Sequence, residues 1–356
     1  MHRKHGKTFA HATPGKLEVF TADAAIAHQV FTKREGFRKQ CDSAQILDLY
    51  GPSLVTNILL LYFVPDFIYK LPWLPKKHVE AQNCSRELKK YLTEFVHSRR
   101  VALNTDGEAN NNFLTSLVKH NMESKSEALS DEELYGNLFT WTFGGHETSA
   151  NTFSHAVFLL AAHPDIQDWL LEELRTVQLT YDSFTQMRRC MAVMFETLRL
   201  FPTVTMAPKS TGLSAVGVLS EDGVTHTFPA QTDVKANIPT LHVQQDHWGL
   251  DSLLWKPSRW IDSNAEETLR APVKGSFLPW TDGPRVCPGK KFAQVSFVAT
   301  VATIVSQYKI EVVPCSGEVM EQARERAWKA VQDSYAALTL EIRAPEKVKF
   351  RLLKRS

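Results

Sequence analysis

One cysteine of this sequence stands in a setting that suits metal ligation. Cys287 lies in the stretch PWTDGPRVCPGKKFA, residues 279–293, where a turn rich in proline and glycine leads into a segment with helical character. The start of a helix offers free N–H groups and a positive dipole end, and both stabilise a thiolate. Gly283 and Gly289 predict positive φ angles and close approach of the backbone to a flat partner, and Arg285 suits a carboxylate on that partner. A buried structural cysteine in a tight turn is the alternative.

A second group of residues interrupts the longest apolar segment. Gly144 and Gly145 stand together inside a helical pattern and are followed by Glu147 and Thr148. Each glycine in a helix costs about 1 kcal/mol relative to alanine, so a compensating role is expected. A flat cofactor against the helix would require small residues there, and a hydroxyl on the opened turn would donate a hydrogen bond to bound oxygen. Close packing of another helix on the two glycines is the alternative.

A third feature is an ion pair on an apolar helix. Glu196 and Arg199 lie three residues apart in MFETLRLFP, a spacing at which helical side chains can pair. An unpaired charge would be costly in such apolar surroundings. Taken alone, the same spacing is typical of solvated helix faces.

The segment around Cys287 resembles the haem-binding loop of cytochrome P450 monooxygenases. The fixed positions of that loop are matched, with tryptophan for the usual leading phenylalanine, at Trp280, Gly283, Arg285, Cys287 and Gly289, and the family's usual continuation at Phe292 and Ala293. The resemblance implies that Cys287 is the proximal thiolate ligand of the iron in heme b (iron protoporphyrin IX) and that the other loop residues help to bind this cofactor. Thiolate ligation pushes electron density onto iron and favours O–O cleavage.

The glycine pair resembles the oxygen-activating motif of the same family. By this resemblance Gly144 and Gly145 lie against the haem, Thr148 helps to deliver protons to bound dioxygen, and Glu147 connects the site to solvent. Lys209 lies where many members place an arginine that binds a haem propionate; a surface lysine after a strand is the alternative.

The ion pair resembles a structural motif of the family in which a later arginine joins a glutamate and an arginine on one helix. That later arginine would be Arg259, in KPSRW, where Ser258 and Trp260 replace the family's glutamate and phenylalanine. The resemblance implies a structural and not a catalytic role.

The implied function is that of a haem-thiolate monooxygenase. Such an enzyme inserts one atom of dioxygen into a small apolar organic substrate, with electrons from an NADPH-dependent P450 reductase. Lys290, Lys291 and Arg285 would form part of a basic docking face, unless the lysines are ordinary solvated charges. The similarity is greatest to eukaryotic microsomal members, of fungal type, which implies the cytosolic face of the endoplasmic reticulum membrane; this chain shows no recognisable anchor or signal.

The elements that position these residues are mostly helices. Helical spacing predicts helices near residues 78–102, from 130 to Pro164, and within the segments around Glu196 and after Cys287. Ser130 precedes a glutamate at the third helical position, which indicates a capping box. The predicted class is mainly α with small β-sheets, and the resemblance implies one P450 domain over 1–356.

The resemblance also implies that this fold is incomplete. A β-rich part at 1–56 leads to a helical remnant at 57–129, and the match is best over 130–356. The family's membrane anchor and the helices that normally follow the equivalent of residue 56, one of which contacts the haem propionates, have no counterpart. We therefore expect weaker haem binding, and a catalytically impaired haem-binding or interaction protein derived from a P450 is the alternative function.

The composition of the chain limits the kinds of partner that it is expected to bind. The chain has 356 residues, is 43% hydrophobic and has a formal net charge of +2, which gives no reason to expect nucleic acid binding. Its five cysteines are widely spaced and odd in number, so they do not indicate a disulfide framework. The apolar run at 57–75 contains prolines and charges that exclude a spanning helix. It predicts a buried segment or a surface patch that contacts a membrane peripherally.

Overall fold

The structure is a computed structural model. It describes residues 1–14, 16–38, 76–105, 112–123, 128–262 and 267–355. The apolar run at 57–75 and part of the predicted helical remnant at 57–129 lie outside the described residues.

Helices dominate the described residues, with short strands between them, so the predicted class is confirmed. The helices are α1 (His2–His5), α2 (Ala24–Thr32), α3 (Lys76–Thr105), α4 (Phe113–Met122), α5 (Asp131–Ala162), α6 (Pro164–Leu174), α7 (Arg188–Leu200), α8 (Ile238–Leu241), α9 (Gln245–Trp248), α10 (Lys290–Gln307) and α11 (Met320–Gln332). The strands are β1 (Thr8–Thr13), β2 (Lys16–Thr21), β3 (Met206–Ser210), β4 (Val216–Leu219), β5 (Thr225–Phe228), β6 (Thr232–Asn237), β7 (Tyr308–Val312), β8 (Ser334–Ala336), β9 (Leu340–Ile342) and β10 (Phe350–Lys354).

The chain divides into two compact units. The larger unit comprises residues 1–41 and 148–356, and the smaller one comprises residues 42–147. The single domain implied by the family resemblance stays a prediction.

The smaller unit is held together by one apolar cluster. Its buried side chains come from α3, α4 and the start of α5: Leu92, Val96, Leu114, Val118, Leu134 and Leu138. Helix α5 begins with the predicted capping box, because the Glu133 N–H donates to Ser130 Oγ at 3.2 Å and the Ser130 N–H donates to the Glu133 carboxylate at 2.9 Å. These bonds satisfy two backbone donors at the helix start.

Helix α5 has its predicted length, but its burial is uneven. The apolar pattern predicts burial on nearly all sides, whereas Gly144, Gly145 and His146 are exposed. Wholly buried side chains lie near both ends, for example Leu134 near the N-terminal end and Leu159 and Leu160 near the C-terminal end. Burial therefore changes along the helix, and the prediction does not hold for residues 144–146.

The core of the larger unit is built from α6, α7 and α10, which pack against one another. Buried Leu170, Leu198 and Val301 belong to this cluster. Gln167 supplies its polar connection: the side-chain amide donates to the carbonyls of Leu160 and Ile310, and its oxygen accepts the Ile310 N–H, each at 2.8 Å. One buried side chain thus ties α5, α6 and β7 together.

In the larger unit, α2 packs against a four-stranded sheet and against the segment that leads to the cysteine loop. The order of the sheet is β1-β2-β6-β3, with β2 and β6 parallel and the other pairs antiparallel. Helix α2 follows β2, and Phe31 on this helix shares a buried cluster with Ala236 of β6 and with Leu278. The segment that leads to Cys287 is therefore packed against both a strand and a helix.

None of the helices described is both long enough and apolar enough to span a bilayer. The segment for which peripheral contact is predicted, 57–75, lies outside them.

Candidate haem-binding site

Backbone hydrogen bonds hold the loop that contains Cys287. The Cys287 N–H donates to the Trp280 carbonyl at 2.9 Å, and the Cys287 carbonyl accepts the Lys290 N–H at 3.2 Å, where α10 begins. Gly289 caps this helix with φ −81°, which is ordinary for any residue, so its predicted positive φ is wrong. The thiol is free and exposed. The loop therefore presents sulfur next to the start of a helix, as predicted.

Gly283 is required by its surroundings. Its φ is +70°, and a Cβ built there would lie 2.4 Å from the Phe31 carbonyl oxygen and 3.2 Å from the Thr32 Cα. Both neighbours are backbone atoms at the end of α2, which cannot easily move. The predicted close backbone approach is therefore present, but the partner is helix α2.

Asp282 and His28 form a further connection between the loop and α2. The Asp282 carboxylate accepts the Gly283 N–H at 2.7 Å and lies 2.9 Å from His28 Nδ1. Neither residue was singled out from the sequence. Asp282 falls at a variable position of the loop motif, and nothing in the sequence links His28 to it.

Trp280 anchors the loop to an aromatic cluster. Its ring centroid lies 6.0 Å from that of Phe195 on α7 and 6.4 Å from that of Phe277. The Lys290 ammonium lies 5.5 Å from the Trp280 centroid, and the Lys291 ammonium lies 3.9 Å from the centroid of Phe184. Both lysines, predicted to be docking charges, therefore also lie over aromatic rings.

Two cations predicted to bind propionates lie near the loop. Arg285 is exposed, and its guanidinium forms no hydrogen bond or ion pair with a residue that the structure describes. Lys209, on β3, is half-buried with its ammonium 5.7 Å from the Phe31 centroid. Phe31 is also the residue whose carbonyl faces Gly283. Lys209 and the loop thus meet the same residue of α2.

The cysteines differ in their fitness as ligands. Burial raises the pKa of the Cys190 thiol, which keeps it protonated and unsuited to ligation. Cys84 and Cys315 are exposed, but neither directly precedes the start of a helix flanked by a cationic side chain. Cys41 lies outside the described residues. Of the cysteines described, Cys287 has the best surroundings for a thiolate ligand.

Glu196 is the centre of a buried polar network, as its motif predicts. Its carboxylate is wholly buried and pairs with Arg199 at 2.8 and 2.9 Å and with Arg259 at 2.8 Å. It also accepts the Lys256 backbone N–H at 2.8 Å and the Trp260 indole N–H at 2.9 Å. The tryptophan that departs from the family pattern therefore contributes a donor that phenylalanine lacks.

His242 connects this network to the cysteine loop. The Arg199 guanidinium donates to the His242 carbonyl at 2.8 Å, and the His242 ring accepts the Leu278 N–H at 2.8 Å through Nε2. Burial, assisted by the charge of Arg199, lowers the pKa of His242 to about 3. His242 was not predicted from the sequence, because a lone histidine in ANIPTLHVQQD carries no motif.

The residues of the oxygen-activating motif lie on α5 but are divided between the two units. Thr148 is half-buried and belongs to the larger unit, as Cys287 does; its carbonyl accepts the Thr152 hydroxyl at 2.8 Å. Gly144, Gly145 and half-buried Glu147 belong to the smaller unit. A Cβ at either glycine would meet nothing within 4 Å. Packing between the described residues therefore does not require glycine at these positions.

Comparison with known proteins agrees with this geometry. A family profile described as "Cytochrome P450" matches residues 24–335, which is most of the chain. The chain therefore belongs to the cytochrome P450 family.

Several fungal proteins are similar to this chain. A cytochrome P450 monooxygenase of Arthrobotrys oligospora is 28% identical, over 82% of this chain and 56% of its own length. Cytochrome P450 monooxygenase prx9 of Penicillium rubens is 28% identical, over 94% of this chain and 63% of its own length. Cytochrome P450 monooxygenase 124 of Postia placenta is 31% identical, over 82% of this chain and 56% of its own length. The chain thus spans little more than half the length of these curated relatives.

The residues of the larger unit fit the cofactor that the family uses. An exposed thiol lies at the start of a helix, where a thiolate is stabilised. The Arg285 guanidinium, two residues away, is available for a carboxylate such as a haem propionate. Thiolate donors are among the protein ligands of haem iron. Cys287 would hold the iron, and Arg285 and Lys209 would hold the propionates.

The Glu196 network should dominate the stability of the larger unit. We expect Glu196→Gln to lower the free energy of unfolding by about 3–5 kcal/mol, because it leaves the wholly buried Arg199 without a counter-charge. Trp260→Phe, the matched control, removes one hydrogen bond and should cost about 1–2 kcal/mol. Denaturant titration of both variants measures the difference, and equal losses would contradict a central role for the carboxylate.

Gly283 should tolerate no side chain. Gly283→Ala combines a positive φ with overlap against the Phe31 backbone, whereas Gly223, at φ +82°, has open space around it. Gly223→Ala should cost about 1–2 kcal/mol from backbone strain alone. Gly283→Ala should cost at least about 2 kcal/mol more. Thermal unfolding of the pair checks this, and similar melting temperatures would show that α2 does not confine the loop.

His242 should make the protein sensitive to acid. The unfolded histidine binds a proton near pH 6.5, whereas the folded one stays neutral down to about pH 3. Between these values the unfolded state binds more protons, so stability decreases as pH falls, by about 1.4 kcal/mol per unit at most from this residue. His242→Gln should reduce the slope of unfolding free energy against pH from pH 6 to 4. An unchanged slope would contradict the lowered pKa.

Proposed function

We propose that this protein is a haem-thiolate monooxygenase that inserts one atom of dioxygen into a small apolar organic substrate. The observation that carries the proposal is the exposed Cys287 thiol, held by two backbone hydrogen bonds at the start of α10 with the exposed Arg285 two residues away. Membership of the cytochrome P450 family supports the same activity. The relatives that share this loop's family are named as monooxygenases.

Haem, when bound, supplies the reductive activation of dioxygen, in which one oxygen atom enters the substrate and the other leaves as water. The reaction consumes two electrons and two protons. Cys287 would donate its thiolate to the iron, and the hydrogen bonds on its backbone would hold the sulfur in place. Arg285 and Lys209 would neutralise the propionates.

Thr148 and Glu147 would handle protons in this proposal. The family resemblance assigns the Thr148 hydroxyl to proton delivery and the Glu147 carboxylate to the connection with solvent. Both residues are half-buried on α5, so each is partly accessible to water. By the same resemblance, Gly144 and Gly145 would lie against the cofactor.

An NADPH-dependent P450 reductase is the proposed source of electrons. Arg285, Lys290 and Lys291 are exposed on the loop and on the first turn of α10, and they would form a basic docking face close to Cys287. As part of the same proposal, the enzyme acts at the cytosolic face of the endoplasmic reticulum membrane, which rests on the resemblance to eukaryotic microsomal members alone.

The visible spectrum of the reduced protein with carbon monoxide tests the proposal. We expect a strongly red-shifted Soret band from thiolate-ligated haem, absent in Cys287→Ser and retained in Cys315→Ser, which removes another exposed thiol. Persistence of the band in Cys287→Ser, or its absence from the wild type, would refute the assignment. Turnover with reductase and NADPH is measured separately, because a normal band without turnover would favour the haem-binding or interaction protein over the enzyme.

A further inference from the structure

We propose that His242 is a positioning residue for the cysteine loop, which it holds by accepting a hydrogen bond from the Leu278 backbone. The proposal rests on the proposed function, because the loop matters only if Cys287 is a ligand. It assigns the position of the Leu278 end of the loop to one acceptor atom, the imidazole Nε2.

The hydrogen bonds of His242 define its tautomer. The side chain is wholly buried, and Nε2 lies 2.8 Å from the Leu278 nitrogen, which can only donate. Nε2 therefore carries no proton, and Nδ1 must carry it. Nδ1 lies 3.2 Å from the carbonyl oxygens of both Leu198 and Arg199 at the end of α7. The ring thus accepts from the loop on one side and donates to α7 on the other.

Leu278 lies at the start of the hydrogen-bonded loop that leads to Cys287. The Leu278 carbonyl accepts the Thr281 N–H at 3.1 Å, and two residues beyond Leu278 the Trp280 carbonyl accepts the Cys287 N–H. The chain between Leu278 and Cys287 is therefore closed on itself by short-range hydrogen bonds. A shift of Leu278 would carry the acceptor of the Cys287 N–H with it.

The surroundings of the His242 ring favour the neutral tautomer that carries its proton on Nδ1. The imidazole centroid lies 5.0 Å from the Phe277 centroid with the ring planes inclined by 37°, so contact with this ring limits rotation of the imidazole. A protonated ring would direct a second N–H at the Leu278 N–H, and two donors would then face each other without an acceptor. Burial and the nearby Arg199 charge keep the ring neutral, which preserves the acceptor across the physiological pH range.

Two substitutions separate the two bonds of His242. His242→Gln places an amide oxygen near the position of Nε2 and can still accept from Leu278, but it loses the donor to α7. His242→Asn places its amide nitrogen near the position of Nδ1 and can still donate to α7, but it leaves the Leu278 N–H without an acceptor. A merely space-filling role predicts that both variants behave alike, or that the smaller Asn and the larger Gln differ only in stability.

Amide hydrogen exchange at Leu278, measured by mass spectrometry on the full chain, reports the bond directly and needs no cofactor. We expect exchange in His242→Asn to be at least about tenfold faster than in the wild type, and in His242→Gln to stay within about threefold. Equal exchange in the two variants, or faster exchange in Gln than in Asn, would overturn the proposal. Should Asn prevent folding, the Gln variant still decides: it must fold and keep Leu278 protected.

The carbon monoxide spectrum of the haem-loaded protein gives the second measurement. We expect His242→Gln to keep the wild-type fraction of red-shifted band and His242→Asn to lose most of it. A red-shifted band of wild-type size in His242→Asn would overturn the role of the bond in positioning Cys287. If the wild type itself lacks the band, the proposed function fails, while the exchange measurement still decides whether His242 holds the loop.

Discussion

The buried carboxylate of Glu196 is the interaction on which the larger unit depends. A negative charge without water requires counter-charges and donors, and the structure supplies them from Arg199 on α7 and from three residues of the segment 256–260. Arg259, the Trp260 indole and the Lys256 backbone all converge on the two carboxylate oxygens. Because each donor must be within hydrogen-bond distance at once, the carboxylate fixes how α7 and residues 256–260 pass one another.

The same network reaches the cysteine loop through backbone atoms. Arg199 holds the His242 carbonyl, and the His242 ring holds the Leu278 N–H. Helix α2 also confines the loop, through Gly283 against the Phe31 carbonyl and through His28 against Asp282. The loop backbone is thus held at several points, while the Cys287 thiol and Arg285 are exposed. A ligand presented from a fixed backbone loses little entropy when it binds its metal.

The sequence predicted the local features well and the long-range ones poorly. The capping box at Ser130, the length of α5 and the Glu196–Arg199 pair followed from short patterns, because each depends on neighbouring residues or on a fixed spacing. Arg259, 63 residues from Glu196, was predicted only from the family resemblance. His242 and His28 were missed because their roles depend on partners 36 and 254 residues away, and no local spacing records such a partner. Burial on all sides of α5 was wrongly expected at 144–146, since hydropathy gives the composition of a helix and not which stretch is covered.

The departures from the family pattern show how the interior compensates for a changed residue. A phenylalanine at 260 would contribute only an apolar ring, whereas Trp260 adds an N–H that Glu196 can accept and a ring that packs 5.2 Å from Phe195. Trp280, at the head of the loop, contacts the same Phe195. The two tryptophans therefore share one neighbour on α7. The substitutions are better understood as a joint adjustment of this packing than as two independent losses of a motif residue, because a single phenylalanine on α7 meets both.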